Sequence, residues 1–198
     1  IPLSVDSFHT ETQRYAITKG VAILNDIHGF PYPAFYPELA DADCKLIVMH
    51  NVHGTQPAKR IVTDATVIMS RIFEFFHERL SALMRAGIAS ERLIIDPGMG
   101  FFLSSEPEAS LMVLQNLAQL RREFNLPVLV GVSRKSFIQK LTGQTVANAD
   151  AGTLSAELFA ANQGVDWIRT HNVRALRDGL FVQSRLNSAV STRLPEIA

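Results

Sequence analysis

Cysteine is nearly absent from this chain: Cys44 is the only one in 198 residues. One thiol excludes an intrachain disulfide and a thiolate metal cluster, and it suits a reducing compartment such as the cytoplasm. An excess of either charge is missing too, with Lys+Arg and Asp+Glu at 19 each. The basic residues are scattered (Arg14, Lys19, Lys59, Arg60, Arg121, Arg122, Arg134, Lys135), so there is no electrostatic footprint for nucleic acid or an anionic membrane. No apolar run approaches the roughly 18–20 residues of a membrane span, and no signal peptide is expected. Internal repeats, low-complexity stretches and an initiator Met are also lacking. The chain opens Ile1-Pro2-Leu3-Ser4-Val5-Asp6, in mid-strand, as a fragment of a longer product would. What is present is ordinary globular composition, 47% apolar and 19% charged, enough for one sizeable core.

Short apolar runs ending in polar residues alternate with longer helical patterns. The runs cover residues 3–6, 21–26, 45–50, 93–96, 128–133 and 166–171. They are continuous in Val, Ile and Leu, as strands buried on both faces should be. Helical periodicity fills 10–19, 67–86, 107–124, 135–141, 151–163 and 175–187, with Gly20, Gly87 and Gly164 as stops. In 67–86, Ile68, Ile72, Phe75, Phe76, Leu80 and Leu83 recur at three- and four-residue steps and define one packed face. Six strand–helix units in succession predict an α/β fold with parallel strands. A doubly wound sheet and a TIM (β/α)8 barrel compete. No glycine-rich dinucleotide fingerprint follows the first strand, and all six strands end in polar residues. Barrels build their sites from many strand ends at once, so the expectation is a barrel with about six of eight β/α units in this chain. Residues 1–187 form the barrel and 188–198 a frayed tail, while 51–63 is the best mobile loop and 30–33 an irregular, proline-stiffened stretch.

Strand by strand, the ends present Asp6, then Asn25-Asp26, Met49-His50, Asp96, Ser133-Arg134-Lys135, and finally Arg169 with His171. Alternate residues of a strand share a face, so Arg169 and His171 point the same way. In a barrel, Asp6, Asn25, Asp96 and Lys135 converge on one mouth, where carboxylates and an amide match the polar edges of a flat heterocycle. Arg169, His171 and Arg134 make a cationic, donor-rich corner suited to phosphate or pyrophosphate. In Asp96-Pro97-Gly98-Met99-Gly100-Phe101 a strand end runs into a turn that lets backbone approach a ligand closely. Cations at a helix N-terminus, such as Arg134 and Lys135, oppose the helix dipole and ask for an anionic partner. His50 and Asp26 read as structural, Cys44 as inert, and no histidine has a convincing metal spacing.

Ser4-Val5-Asp6-Ser7, Asn25-Asp26-Ile27, Met49-His50, Asp96-Pro97-Gly98-Met99-Gly100-Phe101, Gly131-Val132-Ser133-Arg134-Lys135-Ser136 and Arg169-Thr170-His171 follow one another in this order. As an ordered set they resemble dihydropteroate synthase of the folate pathway, over the third to eighth strands of that family's barrel. The resemblance implies a transferase in which 6-hydroxymethyl-7,8-dihydropterin pyrophosphate loses pyrophosphate to the amine of para-aminobenzoate. It implies that Asp6, Asn25 and Asp96 bind the pterin, and that Asp96 also stabilises developing positive charge. Lys135 would lie between pterin and aminobenzoate, with Ser133 near the aminobenzoate carboxylate. Arg169 and His171 would hold pyrophosphate, and Met49, Phe101 and Arg134 complete the substrate-binding set. Magnesium is the implied cofactor, with its ligands unknown because the family's magnesium-associated Asn belongs to a strand this chain does not contain. A homodimer through the outer helices near the C-terminus is the implied assembly.

Departures from the family pattern narrow the reading. Phe102-Leu103-Ser104 stands where common members have Gly-Lys-Thr, and Asn172 where Asp is common. With residues 25–31 and 96–103, these forms are most similar to the plasmid-borne, sulfonamide-insensitive branch. Two alternatives stay open at the level of sequence: a pterin-binding methyltransferase barrel, which would have no need of Ser133-Arg134-Lys135 or the Arg169/His171 corner, and a truncated barrel without catalysis.

Overall fold

The computed structural model describes residues 1–56 and 61–191. Six strands alternate with helices: β1 (Ser4–Asp6), β2 (Ile23–Asp26), β3 (Lys45–Met49), β4 (Leu93–Asp96), β5 (Leu129–Val130) and β6 (Trp167–Ile168). The helices are α1 (Thr10–Thr18), α2 (Tyr36–Asp41), α3 (Ala65–Arg85), α4 (Pro107–Gln115), α5 (Leu117–Phe124), α6 (Ser136–Thr142), α7 (Asp150–Asn162) and α8 (Val173–Ser191). Every strand pairing is parallel, and the spatial order β1-β2-β3-β4 and β5-β6 follows the chain. A parallel Ile95–Val128 bridge, with Ile95 N donating to Pro127 O at 2.9 Å, joins the two groups into one arc. A doubly wound sheet reverses its strand order at a switch point; an order that never reverses is that of a barrel wall.

Strand register separates two faces. Asp6 pairs with Asn25, Asn25 with Ile47, Ile47 with Ile94, and Met49 with Asp96, so these residues share the concave face. Ile23, Ile47, Ile94 and Leu129 pack there as a small cluster of their own. The convex face carries Leu24, Leu46, Val48, Leu93, Ile95, Val128 and Val130 into a larger core shared with the helices. From α3, Ile68, Ile72, Phe76, Leu80 and Leu83 are all buried in that core, each contributing about 1.5–3 kcal/mol by burial. Asp64 caps this helix, its Oδ1 accepting from Thr66 N at 2.8 Å. At the N-terminal end of the strands, Arg92 donates to the carbonyls of Leu39, Ala40 and Cys44 at 2.7, 3.1 and 2.9 Å, tying the end of α2 to the start of β3.

Several elements differ from the sequence expectation. The proline-rich stretch leads through a single 3-10 turn (Pro33–Phe35) into α2, which the periodicity did not reveal. Residues 107–124 form two helices because the Asn116 side chain donates back to Met112 O at 2.8 Å and the chain breaks there. Beyond residue 187, expected to be frayed tail, α8 continues to Ser191; residues 192–198 lie outside the described ones. The expected mobile loop is anchored at both ends: the Asn51 amide donates to Ile27 O, Val52 N to Phe102 O at 2.9 Å, and Thr63 N to Ser104 Oγ at 3.0 Å. Its residues 57–60 lie outside the described ones.

Candidate active site

At the C-terminal ends of the strands the two faces meet different chemistry. Asp96 closes β4 on the concave face, 2% exposed, its Oδ1 accepting from Gly98 N at 2.8 Å. Burial pushes its carboxyl above the usual carboxylate range, while Gly98 N–H, Arg169 and Lys135 pull it down. Lys135 precedes α6, and its ammonium lies 4.9 Å from the centre of the Phe102 ring. Burial lowers the Lys135 pKa, and the nearby Asp96 carboxyl opposes that shift.

Asn25 lies one register step deeper. It is 1% exposed, and both its Nδ2 and Oδ1 lack a hydrogen-bond partner among the described residues. An amide buried with both ends unpaired costs several kcal/mol unless a ligand completes it. Met49, also on this face, is 1% exposed and supplies an apolar wall.

Across the arc, Arg169 Nη1 donates to Asp6 Oδ2 at 2.9 Å, joining the last strand's end to the first. Its guanidinium lies where Gly131 leaves room: a Cβ added at Gly131 would come within 3.3 Å of Arg169 Nε. His171 Nδ1 is 2.8 Å from Ser133 Oγ, which also accepts from His171 N at 3.2 Å. Ser133 therefore stands beside His171. Arg134 adopts φ +57, rare for a side chain with a Cβ, and its guanidinium meets Asp150 Oδ1 at 3.3–3.4 Å. Phe101 O lies 3.0 Å from His53 Nε2, and a cleft of about 450 Å³ lined by Phe101, Ser105, Ser136, Gln139 and Lys140 opens next to Lys135.

Residues one position along point outward and are bonded within the protein by helix and loop groups. Asp26 accepts from Gln13 Nε2 at 2.9 Å and His28 N at 2.8 Å, and burial raises its pKa. His50 Nδ1 meets Pro97 O at 3.1 Å, its ring edge-on to Phe75, and burial lowers its pKa to about 4, so it is neutral near pH 7. Burial likewise pushes the Cys44 thiol up, away from reactivity. The structural readings of Asp26, His50 and Cys44 hold. Gln13 and the Lys135–Phe102 contact had no signal in the sequence. Among the described residues, no three or more His, Cys, Asp or Glu side chains converge to hold a metal ion, so no step below runs through magnesium.

The pterin-binding enzyme family matches residues 1–171. The chain is 52% identical to the type-2 dihydropteroate synthase of Escherichia coli over 193 residues, covering 98% of this chain and 71% of that protein. The chain belongs to the dihydropteroate synthase family. Identity to the dihydropteroate synthase of E. coli strain K12 is 32%, over 94% of this chain and 65% of that protein, so the plasmid-borne forms are the nearer relatives. A Xanthomonas albilineans dihydropteroate synthase structure in complex with 7,8-dihydropteroate superposes with a TM-score of 0.82 at 34% identity, covering 98% of this chain and 70% of that one. The dihydropteroate synthases are transferases on a TIM barrel, and the six-unit arc is the corresponding part of that barrel. Among the described residues no helix is long and apolar enough to cross a membrane.

Proposed function

We propose that the concave strand ends carry out dihydropteroate synthesis with the division of labour that the family resemblance implies. The observation that supports this most is Asn25, buried with an unpaired donor and acceptor, one register step below the buried carboxyl of Asp96. A pterin ring presents complementary N–H and C=O edges to such a pair, and Asp6 completes the acidic wall. The C–O bond to pyrophosphate breaks with its electron pair leaving on the anion, the aminobenzoate nitrogen forms the new C–N bond at the same carbon, and the ammonium so formed releases its proton to solvent. The carboxylate of Asp96 stabilises positive charge as it develops on the pterin, an interaction strongest in the transition state. Arg169 and His171 receive the departing pyrophosphate, so Arg169 exchanges its Asp6 partner for the ligand. Lys135 immediately precedes Ser136, which lines the cleft beside Phe101 where the aminobenzoate carboxylate would be drawn.

Titration of the chain with 6-hydroxymethyl-7,8-dihydropterin pyrophosphate tests this reading. Asp96→Asn and Lys135→Ala are each expected to weaken binding at least about tenfold, or about 1.4 kcal/mol. No binding by a chain that still melts cooperatively would overturn it. Insensitivity to sulfonamides belongs to the same proposal, motivated by Phe102-Leu103-Ser104 in place of the common Gly-Lys-Thr, with Phe102 beside Lys135; equal competition by sulfonamide and aminobenzoate in a turnover assay would refute it. So does a cytoplasmic setting, suited to the lone buried thiol. A homodimer is proposed through the outer helices, where Phe159 of α7 and Phe181, Val182 and Leu186 of α8 stay exposed; sedimentation as a monomer would exclude it.

A further inference from the structure

Of the nine residues of α1, only Gln13 and Ala16 are buried. Gln13 is 0% exposed, and its Oε1 has no hydrogen-bond partner among the described residues. A buried amide with one end unpaired is expensive, and an apolar side chain would fill the place at less cost. The nitrogen end is what the position uses. Nε2 donates to Ser7 O at 2.7 Å and to Asp26 Oδ2 at 2.9 Å, which takes up both of its protons. Both neighbours are acceptors, so the amide can stand only this way round. Ser7 follows Asp6 and Asp26 follows Asn25, the two inward side chains assigned to the pterin along with Asp96.

The bonds close a ring. Ser7 N donates to Asn25 O at 2.9 Å, the backbone joins Asn25 to Asp26, Asp26 meets Gln13, and Gln13 returns to Ser7. The other carboxylate oxygen of Asp26 accepts from His28 N at 2.8 Å and its carbonyl from Gly29 N at 2.9 Å, so the turn after β2 is held to the same ring. Asp6 and Asn25 are register partners on the concave face. Their relative placement is thus set by the backbone ladder between β1 and β2 and, from the helix side, by this one nitrogen. We propose that Gln13 is a positioning residue for the pterin: by joining the turn after β1 to the end of β2 it holds Asp6 and Asn25 so that they meet one ring together. This rests on the assignment of Asp6 and Asn25 to the pterin.

The test is calorimetric titration of the chain with 6-hydroxymethyl-7,8-dihydropterin lacking pyrophosphate and, separately, with inorganic pyrophosphate. Gln13→Met keeps the length of the side chain and removes the donor. It is expected to lower pterin affinity about tenfold, the scale of losing a partner that orients a binding group, and to shift pyrophosphate affinity by less than about twofold. Asp26→Asn sets donor against donor, at Gln13 or at His28 N, and is expected to lower pterin affinity likewise. Combining it with Gln13→Glu is expected to recover most of that loss: the new carboxyl, kept neutral by burial, accepts from the new amide and gives its proton to Ser7 O. A residue that only fills space would give no such recovery. If Gln13→Met does not fold, Asp26→Asn with and without Gln13→Glu carries the test, and equally weak pterin binding in both refutes the proposal. Asn25→Ala separates the two levels of argument. Pterin affinity lost there but unchanged in Gln13→Met would overturn the positioning role alone. Pterin affinity unchanged in both Asn25→Ala and Asp6→Ala would overturn the pterin assignment and the inference with it. Pterin and pyrophosphate affinities falling together in Gln13→Met would show a general structural role and refute the proposal.

Discussion

Gly98, immediately after the Asp96-Pro97 step, should be the position where one added methyl group does most harm to the site. Its φ is +75, and a Cβ built there would overlap the backbone carbonyl oxygen of His50 while touching Phe102 Cβ at 3.4 Å and Met49 Cε at 3.5 Å. The His50 N–H is bonded to Asp96 O at 2.8 Å, which ties this stretch of backbone to the end of β4. Gly143, at the C-terminus of α6, has a similar φ of +67 but nothing within 4 Å of the added carbon. Both alanine variants incur the left-handed cost of about 1–2 kcal/mol, partly offset by about 0.4–1 kcal/mol from a stiffer unfolded chain. Only Gly98→Ala must also move the turn, breaking the Gly98 N–H bond to the Asp96 carboxylate, worth about 1.5–3 kcal/mol. The expected losses are about 3 kcal/mol against 1 kcal/mol or less. At roughly 2–4 °C per kcal/mol for a domain of this size, thermal unfolding followed by circular dichroism should show a Tm drop near 10 °C for Gly98→Ala and only about 3 °C for Gly143→Ala. Pterin binding should fall with the first and survive the second. Equal Tm losses in the two variants would refute the reasoning, since φ alone would then account for both.

His50 predicts an acid limb in stability. Its pKa of about 4 lies below the usual 6.5, so its contribution is complete above pH 6.5 and is lost as pH falls towards 4, about 3 kcal/mol at most. Urea midpoints between pH 7 and pH 4.5 should fall more steeply in the parent chain than in His50→Leu, and parallel curves would exclude this origin. Arg92→Met removes three hydrogen bonds to carbonyls at the end of the barrel away from the site, and should cost about 2 kcal/mol while leaving pterin affinity unchanged. Altered affinity in that variant would mean that the two ends of the barrel are coupled.

Where burial on both faces wrote a continuous apolar run, the sequence was enough to locate the wall, as in β3 and β4. The last two strands are shorter than their runs because backbone geometry takes over: the left-handed Arg134 turns the chain away from β5, and past Ile168 the chain turns through Arg169–Asn172 into α8. α2 was hidden because Pro33 and Pro37 read as breakers. Proline at the start of a helical turn loses only an N–H that would have had no partner, so there it starts helices. Asn116 did the reverse, splitting an unbroken helical pattern by bonding its own backbone.

For the site, the period of two was decisive, and it sorts residues more sharply than their chemistry does. Asn25 and Asp26 are adjacent, both polar and both 1% exposed, yet Asn25 faces in with nothing to bond and Asp26 faces out onto Gln13 and His28. Strand parity could be counted along the sequence, so the inward set was legible. Which helix residue meets each outward partner depends on helix rotation and on a barrel wall assembled from distant segments, so Gln13 was not. An unsatisfied group on the inward side calls for a ligand.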